Sequence, residues 1–285
     1  MTTVNEYLAI YESKSTLKTY KAALKKYFAL FDPDREPEKP TKKTLDELVE
    51  LYFKQERDIK LDVQELRARF TEGLEYYVLR VDEGRKEFAY RGMVEFMPGD
   101  VCWKGIDAPN YMVIHCIWVV GRHKGKGYGS MLVDKAVSSA QTKGMDGVTV
   151  ITVAKGGWTP KKGLFEKKEF KKIDSQGIYE LYALKLREGA SNPRFLDLKD
   201  YIGDGLRVFT SSQCPYMPMT VEGVREIGEE LGKQVIVEEM LSRDDVVDNC
   251  MDPYGTFHLG MDGEYLTPLP GGPGFIKKTI KKALK

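Results

Sequence analysis

Cysteine is scarce in this sequence. Cys102, Cys116, Cys214 and Cys250 form no CxxC pair and no cluster with the 3 histidines. That argues against a disulfide framework or a Cys/His zinc site, and it fits a reducing cytoplasm. Charge of one sign is also lacking, since 44 Lys and Arg face 43 Asp and Glu for a formal net charge of +1. No global field marks the chain as a binder of nucleic acid or membrane, so any such site must be a local patch. No apolar run approaches the length of a membrane span. The opening MTTVNEYLAIYESK has no apolar stretch behind a basic start, so no signal peptide is expected. Internal repeats and low-complexity segments are absent as well.

What is present is material for real cores: 42% of the 285 residues are apolar, enough for one large domain or several small ones. The texture changes twice along the chain. Residues 1–62 read as helices only. Ser15 caps a helix over 16–31 whose apolar positions Leu17, Tyr20, Leu24, Tyr27, Phe28 and Phe31 recur at helical spacing. A proline-rich stretch then breaks it, and Thr44 with Glu47 makes a capping box for a second helix. A third helix, over about 58–70, straddles the boundary.

Residues 63–187 switch to strand periodicity. Strands are expected at 76–79, 87–90, 92–96, 111–120, 148–153 and 178–184, with helices at 130–143 and 161–168. Residues 194–285 read in the order β-α-β-α-β-β-α: strands at 206–210 and 235–239, helices at 220–231 and 244–249, two strands within 255–266, and a basic C-terminal helix. The fold class is therefore α/β (α+β), a mixed sheet with flanking helices between a small helical module and a further α/β domain.

The most informative stretch is residues 114–137. A strand ends in a loop holding Gly121, Gly125, Gly127 and Gly129, and a helix starts at once. Glycines let backbone N–H groups surround a phosphate. The helix N-terminus adds partial positive charge, and Lys124 and Lys126 add full charges. A Walker loop would end in Gly-Lys-Ser/Thr, which is absent, and the glycine spacing does not fit a dinucleotide fingerprint.

Lys124-Gly125-Lys126-Gly127-Tyr128-Gly129 resembles the Arg/Gln-Gly-x-Gly-x-Gly/Ala loop of the GNAT superfamily of N-acetyltransferases, with Lys at the first position. Leu164-Phe165-Glu166-Lys167-Lys168-Glu169-Phe170 resembles that superfamily's Tyr-x-Lys-x-Gly-Phe segment, with Phe165 in place of the tyrosine and Glu169 in place of the glycine. The resemblance implies acetyl-CoA as co-substrate and an amine as acceptor. It implies cofactor contacts from Val119, Val120, Lys124, Gly125, Lys126, Gly127, Tyr128, Gly129, Phe165 and Lys168. It also implies an oxyanion-binding backbone N–H near Val119.

A protonated amine cannot attack a thioester, so a base must take its proton. The candidates are Glu95, between Val94 and Phe96, and His115 in the long central strand. Each also reads as an ordinary structural residue: Glu95 facing solvent, His115 satisfied in the core. Cys116 reads as a small buried hydrophobe, and Trp158, after Gly156-Gly157, as either a wall of an acceptor pocket or a packing residue at an exposed rim.

The segment 208–218, with Cys214-Pro215 opening a helix, resembles the start of a thioredoxin-like domain. Met217 occupies the position of the second redox cysteine, so Cys214 is at best a monothiol site. A GNAT core with such a tail resembles the YoaP-type acetyltransferases from about residue 63 to 280. Residues 15–28 resemble the SAM-like core-binding domain of archaeal tyrosine recombinases, which implies a DNA-gripping lysine run of Lys14, Lys18, Lys21, Lys25 and Lys26. No recombinase catalytic constellation follows, and acidic residues in the next helices oppose that run. The reading is an N-acetyltransferase acting by direct attack in a ternary complex. The alternatives are a non-catalytic DNA- or protein-binding adaptor and a monothiol thioredoxin-like protein.

Overall fold

The computed structural model describes residues 69–81, 89–154, 159–201, 203–211, 213, 217–268 and 273–284. The expected helical module 1–62 with its lysine run, Trp158 and Cys214 lie outside the described residues.

The main sheet has six strands. They are β1 (Glu75–Val81), β2 (Ala89–Pro98), β4 (Tyr111–Val119), β5 (Gly147–Val153), β6 (Lys171–Gln176) and β7 (Tyr179–Lys185). They lie in the order β1-β2-β4-β5-β7-β6. Every pairing is antiparallel except β4 with β5. That parallel pair needs a crossover, and helix α1 (Tyr128–Thr142) supplies it. Strand β6 was not expected from the sequence.

Helix α1 buries Leu132, Val133, Ala136 and Ala140, a stripe at helical spacing. These side chains pack on Val94, Phe96, Met112, Ile114, Val148 and Val150 of the sheet. The short helix α2 (Lys162–Glu166) adds Phe165 to the same layer.

The opposite sheet face is covered as well. Tyr111, Val113, Ile151, Leu181 and Ala183 pack against Trp103 and Ile106 and against Phe209, Met240 and Val246 from the C-terminal part of the chain. Burial on both faces explains why all of β5, Gly-Val-Thr-Val-Ile-Thr-Val, is buried. Its two threonines are satisfied by carbonyls of β7, Thr149 Oγ1 donating to Tyr182 O at 2.9 Å and Thr152 Oγ1 to Glu180 O at 3.3 Å.

The C-terminal lobe holds a second, four-stranded sheet. Its strands are β9 (Leu206–Thr210), β10 (Val235–Glu239), β11 (Phe257–Met261) and β12 (Glu264–Thr267). The order is β10-β9-β11-β12, with β9 and β10 parallel and the other pairs antiparallel. Helices α3 (Met217–Leu231) and α5 (Pro273–Ala283) share a core with one face, through Val221, Val224, Ile227, Ile276 and Ile280. Helix α4 (Arg243–Asp248) belongs to the layer between the lobes, through Val246. A two-stranded ribbon, β3 (Ile106–Asp107) with β8 (Arg194–Phe195), ties the connection to the segment after β2.

Arg243 of α4 fastens the lobes. Its guanidinium donates to Cys102 O at 2.5 Å and to Ile106 O at 2.8 Å. Gly105 permits the close approach. A Cβ there would lie 2.4 Å from Cys250 Sγ, a distance that real side chains do not tolerate.

Candidate active site

Strands β4 and β5 pair only from Tyr111–Gly147 to Ile114–Val150. Beyond that point β4 runs on to Val119 and β5 to Val153 without pairing. The sheet therefore opens into a wedge whose β4 side carries backbone groups with no strand partner. Val120 N–H donates to Arg91 O at 2.9 Å, and Val120 O accepts from His123 N–H at 2.8 Å. Both main-chain groups of Val120 are thus engaged within the chain. Antiparallel strands alternate the direction of their N–H groups, so Val119 N–H faces the wedge while Val120 faces β2. The expected contact at Val120 is left without a backbone donor, and that at Val119 keeps one.

The wedge leads to the glycine loop. Gly121–His123 forms one short 3-10 turn. Gly125 and Gly127 then adopt φ of +80° and +83°, the left-handed region that costs side-chain-bearing residues about 1–2 kcal/mol. A Cβ at either glycine would meet nothing within 4 Å, so the backbone there borders open space. Gly127 is the N-cap of α1, and the first helical bond is Met131 N–H to Gly127 O at 3.1 Å. The N–H groups of the first turn, at Tyr128, Gly129 and Ser130, have no helical acceptor by construction. Lys124 and Lys126 are exposed beside them, and the turn holds no acid. A Cβ at Gly129 would press on Leu164 at 3.3 Å, so this glycine is set by packing of α1 on α2.

Two further expected contacts have partners within the chain. Phe165 is 0% exposed and packs edge-on against Phe170 at 5.4 Å between centroids. As a core residue under α1 it presents no side chain to the wedge. Lys168 forms an ion pair with Asp134 of α1 at 2.5 Å.

Glu95 and His115 come together. The β2–β4 register slips between Glu95, opposite Cys116, and Phe96, opposite Ile114. His115 is the extra residue of this bulge, on the sheet face covered by the C-terminal lobe. His115 is 2% exposed and Glu95 7%. Trp103 N–H donates to His115 Nε2 at 3.3 Å, so that nitrogen carries no proton. His115 Nδ1 then bears the hydrogen and donates to Glu95 Oε1, at 3.3 Å. Burial lowers the His115 pKa from its ordinary value, the Glu95 hydrogen bond opposes this, and the charges of Lys104 and Arg243 add to the lowering. His115 is a neutral donor to Glu95.

Three neighbours were missed from sequence. Gln213 Nε2 donates to Glu95 Oε1 at 3.0 Å, and Lys104 Nζ donates to Gln213 Oε1 at 3.4 Å. Lys104 Nζ also lies 3.5 Å from the Tyr254 ring centroid. The one usable signal was the place of Gln213, directly before Cys214-Pro215. Among the described residues no group of His, Cys, Asp and Glu could hold a metal ion, and no helix is long and apolar enough to cross a membrane.

A parallel strand pair that opens toward a glycine-lined helix start, with a carboxylate one strand away, has the layout of an acyl-transferring enzyme. Comparison with known proteins places the chain within that class. The family model described as "Acetyltransferase (GNAT) family" matches residues 42–170, starting inside the segment expected to be a separate helical module. A Bacillus subtilis (strain 168) protein described as "Uncharacterized N-acetyltransferase YoaP" is 32% identical over 207 residues, 71% of this chain and 79% of that protein. The chain belongs to the GNAT acetyltransferase family and is an enzyme of that family. Among solved structures, PaiA N-acetyltransferase from Thermoplasma acidophilum, in complex with coenzyme A, is 14% identical, with coverage of 60% and 93% and a TM-score of 0.34. A GNAT family acetyltransferase from Elizabethkingia anophelis with acetyl-CoA bound is 17% identical, with coverage of 43% and 83% and a TM-score of 0.31. Likeness at those scores adds nothing further.

Proposed function

We propose that this enzyme moves the acetyl group of acetyl-CoA to an amine by direct attack in a ternary complex, with Glu95 as general base. The observation that carries the reading is the divergence of β4 from β5 onto the open cradle of Gly125 and Gly127. The first-turn N–H groups of α1 with Lys124 and Lys126 suit a pyrophosphate. The wedge gives an extended thiol arm a strand edge to pair with, and Val119 N–H a carbonyl oxygen to polarise.

Glu95 is suited to take the amine's proton. Its Oε1 receives donors from His115 and Gln213, which leaves Oε2 for the incoming hydrogen. Attack by the neutral amine forms the carbon–nitrogen bond as the carbon–sulfur bond breaks. Phe165, buried and without an acidic hydrogen, does not protonate the departing sulfur. His115 orients Glu95 and is not itself the base. Beside Glu95 the same strands carry Trp118, 39% exposed, and Met93 as its register partner, an apolar bank for the acceptor.

The C-terminal lobe reads as thioredoxin-like. Its β-α-β-α-β-β-α order and its strand order β10-β9-β11-β12 support this, and Met217, 2% exposed in the lobe's core, speaks against dithiol chemistry.

The test is calorimetric titration with acetyl-CoA, then thiol release across spermidine, tryptamine, lysine, kanamycin and an alanyl tetrapeptide. Intersecting initial-rate lines and loss of rate in Glu95→Gln are expected. Parallel lines, or full rate in Glu95→Gln, would refute the mechanism.

A further inference from the structure

The C-terminal lobe reaches the acid–base site with an oriented side chain. Gln213 lies just beyond β9 and is 118 residues from Glu95 in sequence, yet its amide lies 3.0 Å from the carboxylate. The orientation of that amide is fixed by chemistry. Lys104 Nζ has only hydrogens to offer, so the atom that faces it at 3.4 Å must be the amide oxygen. The amide nitrogen then has to face Glu95. Lys104 is 2% exposed, and a second residue of the same lobe, Tyr254, covers it with the face of its ring, 3.5 Å from Nζ to the centroid. The favourable contact between an ammonium and a ring face holds a buried lysine in place. Glu95 is thus held from two sides, by His115 on its own sheet and by Gln213 on the other lobe.

We propose that the C-terminal lobe is part of the catalytic unit: Gln213, locked by Lys104 and Tyr254, is a positioning residue that holds the Glu95 side chain in place with Oε2 free for the amine's proton. The inference rests on Glu95 being the base. A lobe that only packed against the sheet would need the apolar contacts of Phe209, Met240 and Val246, but no part-buried amide aimed at a carboxylate. Loss of Gln213 should therefore slow the step in which Glu95 takes a proton, without weakening the hold on acetyl-CoA.

The experiment uses the full-length chain, with Gln213→Leu, Gln213→Glu, Glu95→Gln and the double variant Glu95→Gln/Gln213→Leu. Acetyl-CoA affinity is measured by calorimetry. Thiol release is measured with the best acceptor of the amine panel, from about pH 6 to 9. Folding is checked by melting temperature, and Gln213→Glu keeps the shape of the side chain if the leucine variant melts early. In Gln213→Leu, kcat should fall about tenfold while acetyl-CoA affinity stays within about twofold. In Gln213→Glu kcat should fall as well, because its carboxylate has no N–H to give Glu95. Gln213→Leu should add no loss to Glu95→Gln, because coupled residues are not additive. An unchanged kcat in both Gln213 variants, with Glu95→Gln impaired, would overturn the proposal and leave the base assignment standing. Full activity in Glu95→Gln would instead remove the base assignment, whatever Gln213 does.

Discussion

His258 makes the stability of this protein sensitive to acid in a way that one substitution should remove. It lies on β11, 0% exposed, on the face of the second sheet that turns toward the main sheet. Its ring sits between Phe209, 6.4 Å away, and Tyr265, 6.1 Å away. Neither ring nitrogen has a hydrogen-bond partner among the described residues. Burial lowers the pKa from 6.5 to about 3. The folded state therefore refuses a proton that the unfolded chain accepts. The stability is fully present above the unfolded value of 6.5 and is lost as pH falls toward about 3. At about 1.36 kcal/mol per unit, the loss between pH 7.5 and pH 5 is about 2 kcal/mol. That figure hardly depends on whether the folded value is 3 or a unit away, since pH 5 lies well above both. His258→Leu keeps the volume and deletes both unpaired nitrogens, whose burial costs about 1–3 kcal/mol. Urea unfolding followed by tryptophan fluorescence at pH 7.5, 6.5 and 5 is the assay. The variant should match or exceed the parent at pH 7.5 and should lack about 2 kcal/mol of its acid loss. His115, also lowered by burial, remains in both proteins and cancels in the difference. Equal acid loss in parent and variant would refute the reasoning.

Three further outcomes are expected. Gly127→Asp, which puts a side chain and a negative charge at a φ of +83°, should weaken acetyl-CoA binding more than about a hundredfold while costing only about 1–2 kcal/mol of stability; calorimetry and urea melts separate the two. Burial pushes the Cys250 thiol up to about 11 and raises that of Cys102, so iodoacetamide at about pH 8 should label half-buried Cys116 in the folded protein and spare both, and peptide mapping after mild oxidation should yield no Cys214–Cys250 bridge. The whole chain should bind a labelled DNA duplex no better than about 10⁻⁴ to 10⁻⁶ M at physiological salt; nanomolar anisotropy titrations lost on changing Lys14, Lys18, Lys21, Lys25 and Lys26 to Glu would make the N-terminal block a DNA-targeting module.

The parts legible in the sequence are those whose signal is local. Glycines at 125 and 127 mark a backbone that only glycine adopts cheaply, and their positive φ values follow. The buried run of β5 reads directly as a strand covered on both faces. Six elements of the C-terminal lobe lie within a few residues of their expected positions, and the expected basic C-terminal helix is α5. Strand β6 was missed for an equally local reason. Lys-Lys-Ile-Asp-Ser-Gln has no apolar alternation and half of it is exposed. It is a strand because it pairs with β7 at the edge of the sheet, where charged side chains are the usual protection. An analogy of position says nothing about which way the Phe165 side chain points, and here it points into the core.

The environment of Glu95 could not be read at all, because it is assembled from five stretches. β2 supplies Glu95, the turn after it Trp103 and Lys104, β4 His115, and the C-terminal lobe Gln213 and Tyr254. No spacing rule links such residues. The change of texture near residue 187 marks where one sheet's strands end along the chain, and it says nothing about what covers that sheet. In space the boundary dissolves. Val113, Ile151, Leu181 and Ala183 share one buried cluster with Phe209, Met240 and Val246, and Arg243 caps two carbonyls of the segment that also presents Lys104. A chain ending near residue 187 would bare the apolar face of the sheet and release Lys104 and Glu95 from the side chains that hold them. The lobe that looks appended in sequence thus covers the enzyme's core and closes one side of the proposed site, and a single layer of side chains does both.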